Sequence, residues 1–384
     1  EVTDDPRVVA TYNGQVVVDL PVAPVTDEAP VYERPVEIPA VASRVLPLGA
    51  AAKVTLTREL LLDFLARPNV CSRAFVYRQY DHEVGTDTVF APGSDAAILR
   101  IKGKRQGIAM TVDSNAFYCH ADPYLGALHV MAEAVRNLAC AGARAMAMTD
   151  CLNFGNPEIP SVMGQFKETV RGLIDACNHF KTPVTGGNVS LYNQTGDVSI
   201  KPTPVVGMVG LIEDHRSPTP SAFVRAGLDV VLLGTQVEGI HQCEFARAHL
   251  SSDDLACPPI DLARESALCE LLIEAGESRT IASAHDLSLG GLIACLAESC
   301  ETVGATIRVP QEEGHAFLFT ESPSCAVVTV APSDKDALLE MAKRRGVEAR
   351  VIGTTGGNAL SFEGIPSLSI EEIRTARNRF FEGL

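Results

Sequence analysis

Apolar residues recur at helical spacing in several long stretches of this chain and gather into short runs elsewhere. The helical spacing predicts helices at 57–68, 122–143, 160–180, 262–276 and 333–346. The short runs predict strands at 14–22, 95–103, 106–113, 145–150, 204–214, 228–234, 280–286, 325–332 and 349–357. Because these elements do not alternate as strict βαβ units, the pattern predicts an α+β protein of mixed α/β layers rather than a doubly wound sheet.

Two dense clusters of polar residues each follow a short apolar run. Their sequences are TDCLNFGNPE at 149–158 and TPVTGGNVSLYN at 182–193, and an amphipathic segment separates them. This order predicts strand, polar loop, helix, strand and polar loop. Loops at the ends of neighbouring strands are where a fold of this kind binds its ligands.

Five residues in these clusters have the chemistry of a phosphate and metal site. Gly186 and Gly187 would let backbone amides approach a phosphate closely. Asp150, Asn188 and Ser190 supply oxygen atoms for a hard cation or for polar contacts. For either cluster alone, an equally good interpretation is that glycine and asparagine only serve turns. The pairing of the two clusters favours the phosphate site.

A third cluster lies in AHDLSLGGL, where a strand leads through a short loop into a helix. Asp286 would lie at the strand end. Ser288, Gly290 and Gly291 would lie where helix amides point outward, which is an arrangement that binds phosphate. The alternative is a simple helix cap by Asp286 or Ser288.

Other polar residues allow both a structural and a functional interpretation. Glu321 and Ser322, in FTESPSC, predict either site residues or a solvated turn. Asp95, at the head of a strand, can ligate a cation or cap a turn. We expect His285 to pack in the core or to contact site residues. We expect Asp81 to cap a turn rather than to form an acid–base pair with His82.

Composition excludes several classes of function. The 384 residues carry 32 basic and 48 acidic side chains, for a formal net charge of −16, which argues against a nucleic-acid surface. An anionic substrate is still compatible with this negative net charge, because bound metal ions can offset charge locally. No apolar run reaches the ~18 residues of a membrane span, and the acidic N-terminus is not a signal peptide. Eleven cysteines without a CxxC pair predict reduced core thiols in a cytoplasmic protein.

Length and proline distribution divide the chain into three segments. Two domains are expected at this length, and the pattern places them at 51–214 and 221–384. Residues 1–50 hold seven of the 23 prolines, and eight acidic against three basic residues. We interpret them as the last strand and the linker of a domain that should precede them. The alternative is a free-standing extension.

Collinear motifs over nearly the whole chain resemble one enzyme family. The motifs are QYDHEVGTDTV, GSDAAILRIKG, DPYLGALHVMAEAVRNLACAGA, TDCLNFGNPE, TGGNVSLYN, PTPVVGMVGLIED, AHDLSLGGL and FTESPS. They resemble the C-terminal half of phosphoribosylformylglycinamidine synthase, the ATP-dependent synthetase of purine biosynthesis and a relative of aminoimidazole ribonucleotide synthase. The resemblance implies an A domain, whose sheet pairs with that of a second A domain into a barrel-like core, followed by an α+β B domain.

The resemblance also implies a reaction and its ligands. ATP phosphorylates the amide oxygen of formylglycinamide ribonucleotide, and ammonia then displaces phosphate to give the amidine. Mg²⁺ offsets charge on the transferring phosphoryl group of this carbon–nitrogen ligase. By position, Asp150 and Gly187 match ATP contacts. Asn188 matches a magnesium ligand, and Ser190 matches a substrate contact.

The family's catalytic histidine lies in the other half of the synthetase, in a Glu-x-His-Asn-His-Pro-Ser segment. An internal repeat puts Asp113 and Asn115 at the corresponding positions here, and Asn137 where that half has a metal-binding aspartate. An asparagine cannot act as a general base. We therefore expect no catalytic residue in this chain and no activity of the isolated fragment. A non-catalytic pseudo-site is expected around Asp113, Asp286 and Glu321, which in larger members holds a nucleotide with magnesium.

The resemblance implies several partners and leaves two other functions open. The partners are formylglycinamide ribonucleotide, a glutaminase subunit, a small bridging subunit and the N-terminal half of the synthetase; a homodimer of the fragment would also cover the A-domain surface. One alternative is a non-catalytic nucleotide-binding scaffold for the glutaminase complex. The other is a stand-alone kinase-like relative, against which the proline-rich start and the lost histidine argue.

Overall fold

Two large mixed β-sheets with helices packed against them account for most of the structure. The computed structural model describes residues 2–252, 254–310 and 314–382. Its strands are β1 (Arg7–Tyr12), β2 (Gln15–Pro21), β3 (Thr88–Phe90), β4 (Ala97–Arg100), β5 (Gly107–Asp113), β6 (Arg144–Asn153), β7 (Val184–Ser190), β8 (Gln194–Thr195), β9 (Val198–Ser199), β10 (Thr203–Ile212), β11 (Asp229–Leu233), β12 (Ile281–Asp286), β13 (Ala305–Ile307), β14 (Ala326–Val330), β15 (Ala349–Thr355), β16 (Ala359–Phe362) and β17 (Ile365–Ser369). Its α-helices are α1 (Arg58–Leu65), α2 (Ala74–Tyr77), α3 (Ala116–Ala121), α4 (Pro123–Cys140), α5 (Pro160–Phe180), α6 (Glu244–His249), α7 (Leu262–Glu277), α8 (Gly291–Ser299), α9 (Ala316–Phe319), α10 (Lys335–Arg345) and α11 (Ile370–Glu382). The predicted α+β class is confirmed.

The first sheet has the strand order β3-β4-β5-β10-β6-β7. Its neighbours are antiparallel except β6 and β7, which run parallel because α5 returns the chain to the starting end of the sheet. Alternate residues of β10, including Val206 and Met208, are buried in the core that α4 shares. The predicted strands β4 and β5, which pair as an antiparallel hairpin, and the predicted helices α4 and α5 are confirmed.

The second sheet has the order β12-β14-β11-β15-β13-β16-β17, with only β13 and β16 parallel. One buried core joins it to the first sheet through Leu138 of α4, Leu268 of α7 and Val328 of β14. Helix α1 precedes the first sheet in sequence, yet its Phe64 packs edge-on against Phe319, with 5.2 Å between ring centroids. The domain bounds at 51–214 and 221–384 stay predictions, and α1 belongs by packing to the second sheet.

An N-terminal hairpin stands apart from both sheets. Its second strand, β2, was predicted, but β1 was not. Asn13 and Gly14 between them have φ of 49° and 79°, as a type I′ turn requires. This Asn-Gly pair is a hairpin signal that the strand prediction overlooked. Both faces of the hairpin are largely exposed.

The proline-rich segment after the hairpin contacts both halves of the fold. The Glu37 N–H donates to the carbonyl oxygen of Pro160 at the start of α5, at 2.9 Å. Further along, Leu46 forms an antiparallel bridge with Ile240 beside the second sheet. The segment that was predicted as a linker is therefore fixed against the body of the protein at two separated points.

Burial agrees with the predicted state of the cysteines. All eleven thiols are free and nine are buried, while Cys151 and Cys177 keep partial exposure. Burial raises the pKa of Cys295 and Cys325, the latter to about 12, so these thiols stay protonated and unreactive at neutral pH. Among the described residues, no helix is both long and apolar enough to cross a membrane.

The face of the first sheet that lies opposite α4 is open and apolar. Strand alternation and a bulge in β6 place five apolar side chains on it, each between 38% and 71% exposed. They are Ile108, Met110, Val112, Met146 and Val209. We call this surface the open sheet face. A contiguous apolar surface of this kind is typical of a protein–protein contact.

Candidate functional site

The two polar clusters that were predicted as loops lie largely within strands. TDCLN belongs to β6 and TGGNVS to β7, so the loop prediction for these residues was wrong. Two threonine hydroxyls tie the strands together. Thr149 donates to the carbonyl oxygen of Gly186 at 2.8 Å, and Thr185 donates to that of Met148 at 3.1 Å. This parallel pairing overrides the turn preference of glycine and asparagine.

The strand pair brings the four predicted ligand residues to one end of a sheet edge but places them on two faces. Asp150 lies opposite Gly187 on the helix-covered face. By strand alternation, Asn188 and Ser190 lie on the open sheet face. A ligand that contacts all four must therefore pass over β7, the last strand of the sheet, where Gly186 and Gly187 present no side chain.

Gly187 leaves room for the Asp150 carboxylate. A Cβ atom on Gly187 would lie 2.5 Å from Asp150 Oδ1 and 2.7 Å from the Asp150 carbonyl oxygen. At Gly186 a Cβ atom would meet nothing within 4 Å. Partial burial raises the pKa of the Asp150 carboxyl above its usual value. Only the second glycine of the pair is thus required by the local packing.

A second group of candidate residues lies between the two sheets. Asp113 ends β5 and Asp286 ends β12, and α4 contributes Glu133 beside them. Burial raises the pKa of both aspartates to about 7, and repulsion from Asp286 adds to the effect on Asp113. Burial also raises the pKa of Glu133 well above its usual range. The structure therefore brings Asp113 and Asp286 together, as the pseudo-site prediction requires.

Arg136 supplies a buried positive charge at this pseudo-site. Its Nη1 donates to Glu265 Oε1 at 2.7 Å, and its Nη2 lies 3.6 Å from Asp286 Oδ2. All three side chains are at most 5% exposed. Sequence reasoning missed Glu265, because a partner 129 residues away leaves no local signal.

Unpartnered carboxylate oxygens at the pseudo-site fit a divalent cation. Among the described residues, the Oδ2 atoms of Asp95, Asp113 and Asp286 are buried and have no hydrogen-bond partner. Asp95 and Asp286 also offer carboxylate oxygens that lie within 4.8 Å of each other. Carboxylate oxygens are what Mg²⁺ binds in proteins, and buried ones are rarely left unpaired.

His285 holds one of these carboxylates in place. Its Nδ1 donates to Asp95 Oδ1 at 2.9 Å and its Nε2 donates to Glu298 Oε2 at 2.8 Å. Burial opposes protonation, but the Asp95 carboxylate outweighs it and raises the pKa of His285 well above its usual value. His285 is therefore a cation that fixes one oxygen of Asp95, which agrees with the predicted contact to site residues.

Glu321 is buried and fully engaged in structural hydrogen bonds. It is 3% exposed and Ser322 is 1% exposed, so the solvated-turn interpretation was wrong. Glu321 Oε1 accepts the N–H groups of Glu244 and Gly290, each at 2.8 Å, and Oε2 accepts the Tyr118 hydroxyl at 2.9 Å. Glu321 thus links α3 to the starts of α6 and α8.

The start of α8 differs from both interpretations of its sequence. Neither Asp286 nor Ser288 caps the helix, whose cap residue Gly290 makes no side-chain cap hydrogen bond. Its N–H group instead binds the Glu321 carboxylate. That amide, which was predicted to face a phosphate, is already occupied by a side chain 31 residues away.

Two of the polar residues considered above act as local caps. Asn115, which stands where the family's base is expected, caps α3 by accepting the Tyr118 N–H at 3.0 Å. Asp81 accepts the Glu83 N–H at 2.7 Å, which confirms the capped turn. Asn115 therefore has a structural task that needs no proton transfer.

A cavity of about 580 Å³ opens beside the pseudo-site. Ser94, Ser288, Arg73, Arg78 and Arg377 are among the residues that line it. Hydroxyl and guanidinium groups are typical phosphate-binding groups. Sequence reasoning identified Ser288 but none of the three arginines.

His129 gives the fold a pH dependence that can be measured. Its Nε2 donates to the Pro258 carbonyl oxygen at 2.8 Å, and burial lowers its pKa from 6.5 to about 4. At this residue the unfolded chain therefore binds more protons between these values, and the contribution of His129 to the free energy of unfolding should fall by up to about 3 kcal/mol as pH drops from 6.5 to 4.

Denaturant unfolding at several pH values checks this, with His129→Gln as the comparison. The difference in unfolding free energy between the two proteins should shrink as pH falls from 7 to 4.5, because only the unsubstituted protein has a His129 whose contribution is lost. A difference that stays constant over this range would contradict the expectation.

Two family models match the chain. The model described as AIR synthase related protein, N-terminal domain, matches residues 93–212, and the corresponding C-terminal domain model matches residues 225–363. They coincide with the first sheet from β4 onwards and with most of the second sheet.

Curated and solved relatives agree with the models. The chain is 43% identical over 381 residues to the phosphoribosylformylglycinamidine synthase subunit PurL of Moorella thermoacetica, covering 97% of this chain and 52% of that protein. The chain spans about half the length of the curated relatives it matches.

Solved structures of Thermotoga maritima PurL share the fold. The complex with ATP aligns with a TM-score of 0.61 at 23% identity, covering 93% of this chain and 50% of that chain. The complex with FGAR aligns with a TM-score of 0.65 at 18% identity, covering 85% and 55%. The two domain models and the curated relatives confirm the predicted family: the chain belongs to the AIR synthase related proteins and is similar to PurL.

Proposed function

We propose that this chain is the C-terminal half of an ATP-dependent synthetase that converts formylglycinamide ribonucleotide and ammonia into formylglycinamidine ribonucleotide, ADP and phosphate. The observation that carries the proposal is 43% identity to a PurL subunit along 97% of the chain. The solved PurL structures with ATP and with FGAR support the choice of ligands. Eleven free thiols accord with a cytoplasmic location.

In this proposal the end of the β6–β7 pair contributes to an active site completed by the N-terminal half. Asp150 and Gly187 contact ATP, Asn188 ligates Mg²⁺ and Ser190 contacts the ribonucleotide. Phosphorylation of the amide oxygen creates a good leaving group, and ammonia attacks the activated carbon and releases phosphate. Gly187 has no side chain, so a nucleotide can cross the strand edge there and reach both faces of the sheet end.

The chain supplies binding groups but no general base. Asn115 occupies the position of the expected histidine and caps a helix. We therefore expect no turnover by the chain alone, with ammonia delivered by a glutaminase and a small bridging subunit in the assembly. The scaffold and kinase-like alternatives have no observation that favours them over this one.

Complementation tests the proposal. Phosphate release from ATP should depend on formylglycinamide ribonucleotide and ammonia, and should occur only after the N-terminal half is added. Asn188→Ala should then lower kcat/KM by about 10²–10³-fold while the far-ultraviolet circular dichroism is unchanged. Turnover by the chain alone, or full activity of the variant, would contradict the proposal.

The pseudo-site is proposed to hold a nucleotide with magnesium as a structural group. Asp95, Asp113 and Asp286 would hold the cation, because each keeps an unpartnered buried oxygen. Ser288 and Arg377 line the adjacent cavity, which could receive the phosphates. A thermal shift on adding Mg-ADP, or nucleotide released by denaturing the purified chain, is the expected result. The absence of both would contradict it.

Self-association of the chain is expected through the open sheet face, since in isolation nothing else covers it. Val112, 71% exposed in β5, should be central to the contact. The chain should sediment as a dimer at micromolar concentration, and Val112→Lys should shift it to monomer. Val198→Lys, at a position 75% exposed in β9 outside this face, is the control. A monomeric parent chain at tens of micromolar would contradict the prediction.

A further inference from the structure

The loop after β7 contains a side chain, Asn193, that binds Ser190 through both its amide nitrogen and its amide oxygen. Asn193 lies three residues after Ser190. Its Nδ2 is 3.0 Å from the Phe154 carbonyl oxygen and 2.9 Å from the Ser190 carbonyl oxygen. The same amide lies against the Ser190 hydroxyl, with Nδ2 at 3.1 Å and Oδ1 at 3.2 Å from Oγ.

Counting donors decides the direction of the hydroxyl hydrogen bond. A side-chain amide has two N–H donors, and a carbonyl oxygen can only accept. The two backbone carbonyls of Phe154 and Ser190 therefore take both N–H groups of Asn193. No third N–H group is left for the approach of Nδ2 to the Ser190 Oγ, so the hydroxyl binds Asn193 by donating its proton to Oδ1.

The surrounding backbone fixes this arrangement. The Phe154 N–H donates to the Ser190 carbonyl oxygen at 2.9 Å, and the Asn193 N–H donates to that of Phe154 at 3.1 Å. Tyr192, which lies between Ser190 and Asn193 in the sequence, adopts a left-handed conformation with φ of 59°. This conformation turns the chain back so that Asn193 reaches Ser190. Reversing the Asn193 amide would place its oxygen against two carbonyl oxygens, so the orientation is unique.

We propose that Asn193 is a positioning residue that makes the Ser190 hydroxyl a hydrogen-bond acceptor toward the bound ligand. With its proton committed to Asn193, Ser190 presents lone pairs on the open sheet face. It then recognises an N–H or O–H group, such as an amide nitrogen or a ribose hydroxyl, and not a phosphate oxygen. This inference rests on the proposed function, because it assumes that Ser190 contacts the ribonucleotide.

A double-mutant cycle in the complemented synthetase tests it. Ser190→Ala should raise KM for formylglycinamide ribonucleotide about tenfold, with kcat and KM for ATP changed much less. Asn193→Ala should give a similar rise. The double variant should resemble Ser190→Ala alone, because Asn193 acts through Ser190. Gln194→Ala, which removes an amide from the next residue, is the control and should leave KM unchanged.

The outcomes separate this inference from the proposed function. If Ser190→Ala raises KM but Asn193→Ala does not, or if their effects add, the positioning role is wrong and the proposed function stands. If Ser190→Ala has no effect, the assigned ligand contact is wrong and the inference fails with it. Should Asn193→Ala not fold, Asn193→Ser enters the same cycle, and a parental KM in that variant overturns the inference.

Discussion

Replacing Arg136 with methionine should lower the free energy of unfolding by about 3–5 kcal/mol. The guanidinium is 3% exposed, and it pairs with Glu265 at 2.7 Å and faces Asp286 at 3.6 Å. Methionine fills a similar volume without charge. The variant would leave two buried carboxylates without their cation, and both would then have to bind protons or be exposed to water.

The reason for expecting a large effect is the charge balance of the pseudo-site. Burial already raises the pKa of Asp113 and Asp286 to about 7 while Arg136 is present. Arg136 lowers the pKa of both groups, and without it their charged forms become still less favourable. The same substitution should therefore also weaken any binding that depends on ionised carboxylates there.

Guanidinium unfolding monitored by circular dichroism measures the change. Arg144→Met is a matched control, because Arg144 pairs with Glu270 on the surface, where its side chain is 55% exposed. Removing that pair should cost no more than about 1 kcal/mol. Equal effects of the two substitutions would mean that the buried pair contributes little beyond its packing.

The sequence predicted the elements whose signals are local. The amphipathic helices α4, α5 and α7 have apolar residues at regular spacing over 16 or more residues, and they lie where expected. Helix α11 was missed although it is similarly amphipathic, because no expectation was made for the chain after 357. The Asn13–Gly14 turn is also a local signal, and it would have predicted strand β1 if the Asn-Gly pair had been interpreted as a hairpin turn.

The site was harder to predict because its contacts join distant segments. Asp150 and Gly187 were identified, but as loop residues, since only the pairing of β6 with β7 shows that they belong to strands. Glu265 and Tyr118 carried no signal, because their partners lie 129 and 203 residues away. Glu321 was identified as a candidate site residue. Its hydrogen bonds could not be predicted, because they come from backbone amides that only the folded chain brings together.

Gly187→Ala should reduce kcat/KM for ATP in the complemented synthetase by at least about 10²-fold. The added Cβ would lie 2.5 Å from Asp150 Oδ1 and 2.7 Å from the Asp150 carbonyl oxygen. Rotating the Asp150 side chain relieves only the first of these contacts. The second requires β6 and β7 to separate, so the proposed ATP contact must move.

Gly186→Ala is the matched control for this substitution. The two glycines are neighbours in the same strand, and a Cβ on Gly186 meets nothing within 4 Å. Both variants remove the same conformational freedom from the unfolded chain, so a difference between them reports only the contact with Asp150. We expect Gly186→Ala to retain kcat/KM within a few-fold and both variants to show cooperative thermal unfolding. If both alanine variants keep parental kinetics, Asp150 and Gly187 do not contact ATP. If both lose activity equally, the bare edge of β7, rather than the position of Asp150, is what the nucleotide requires.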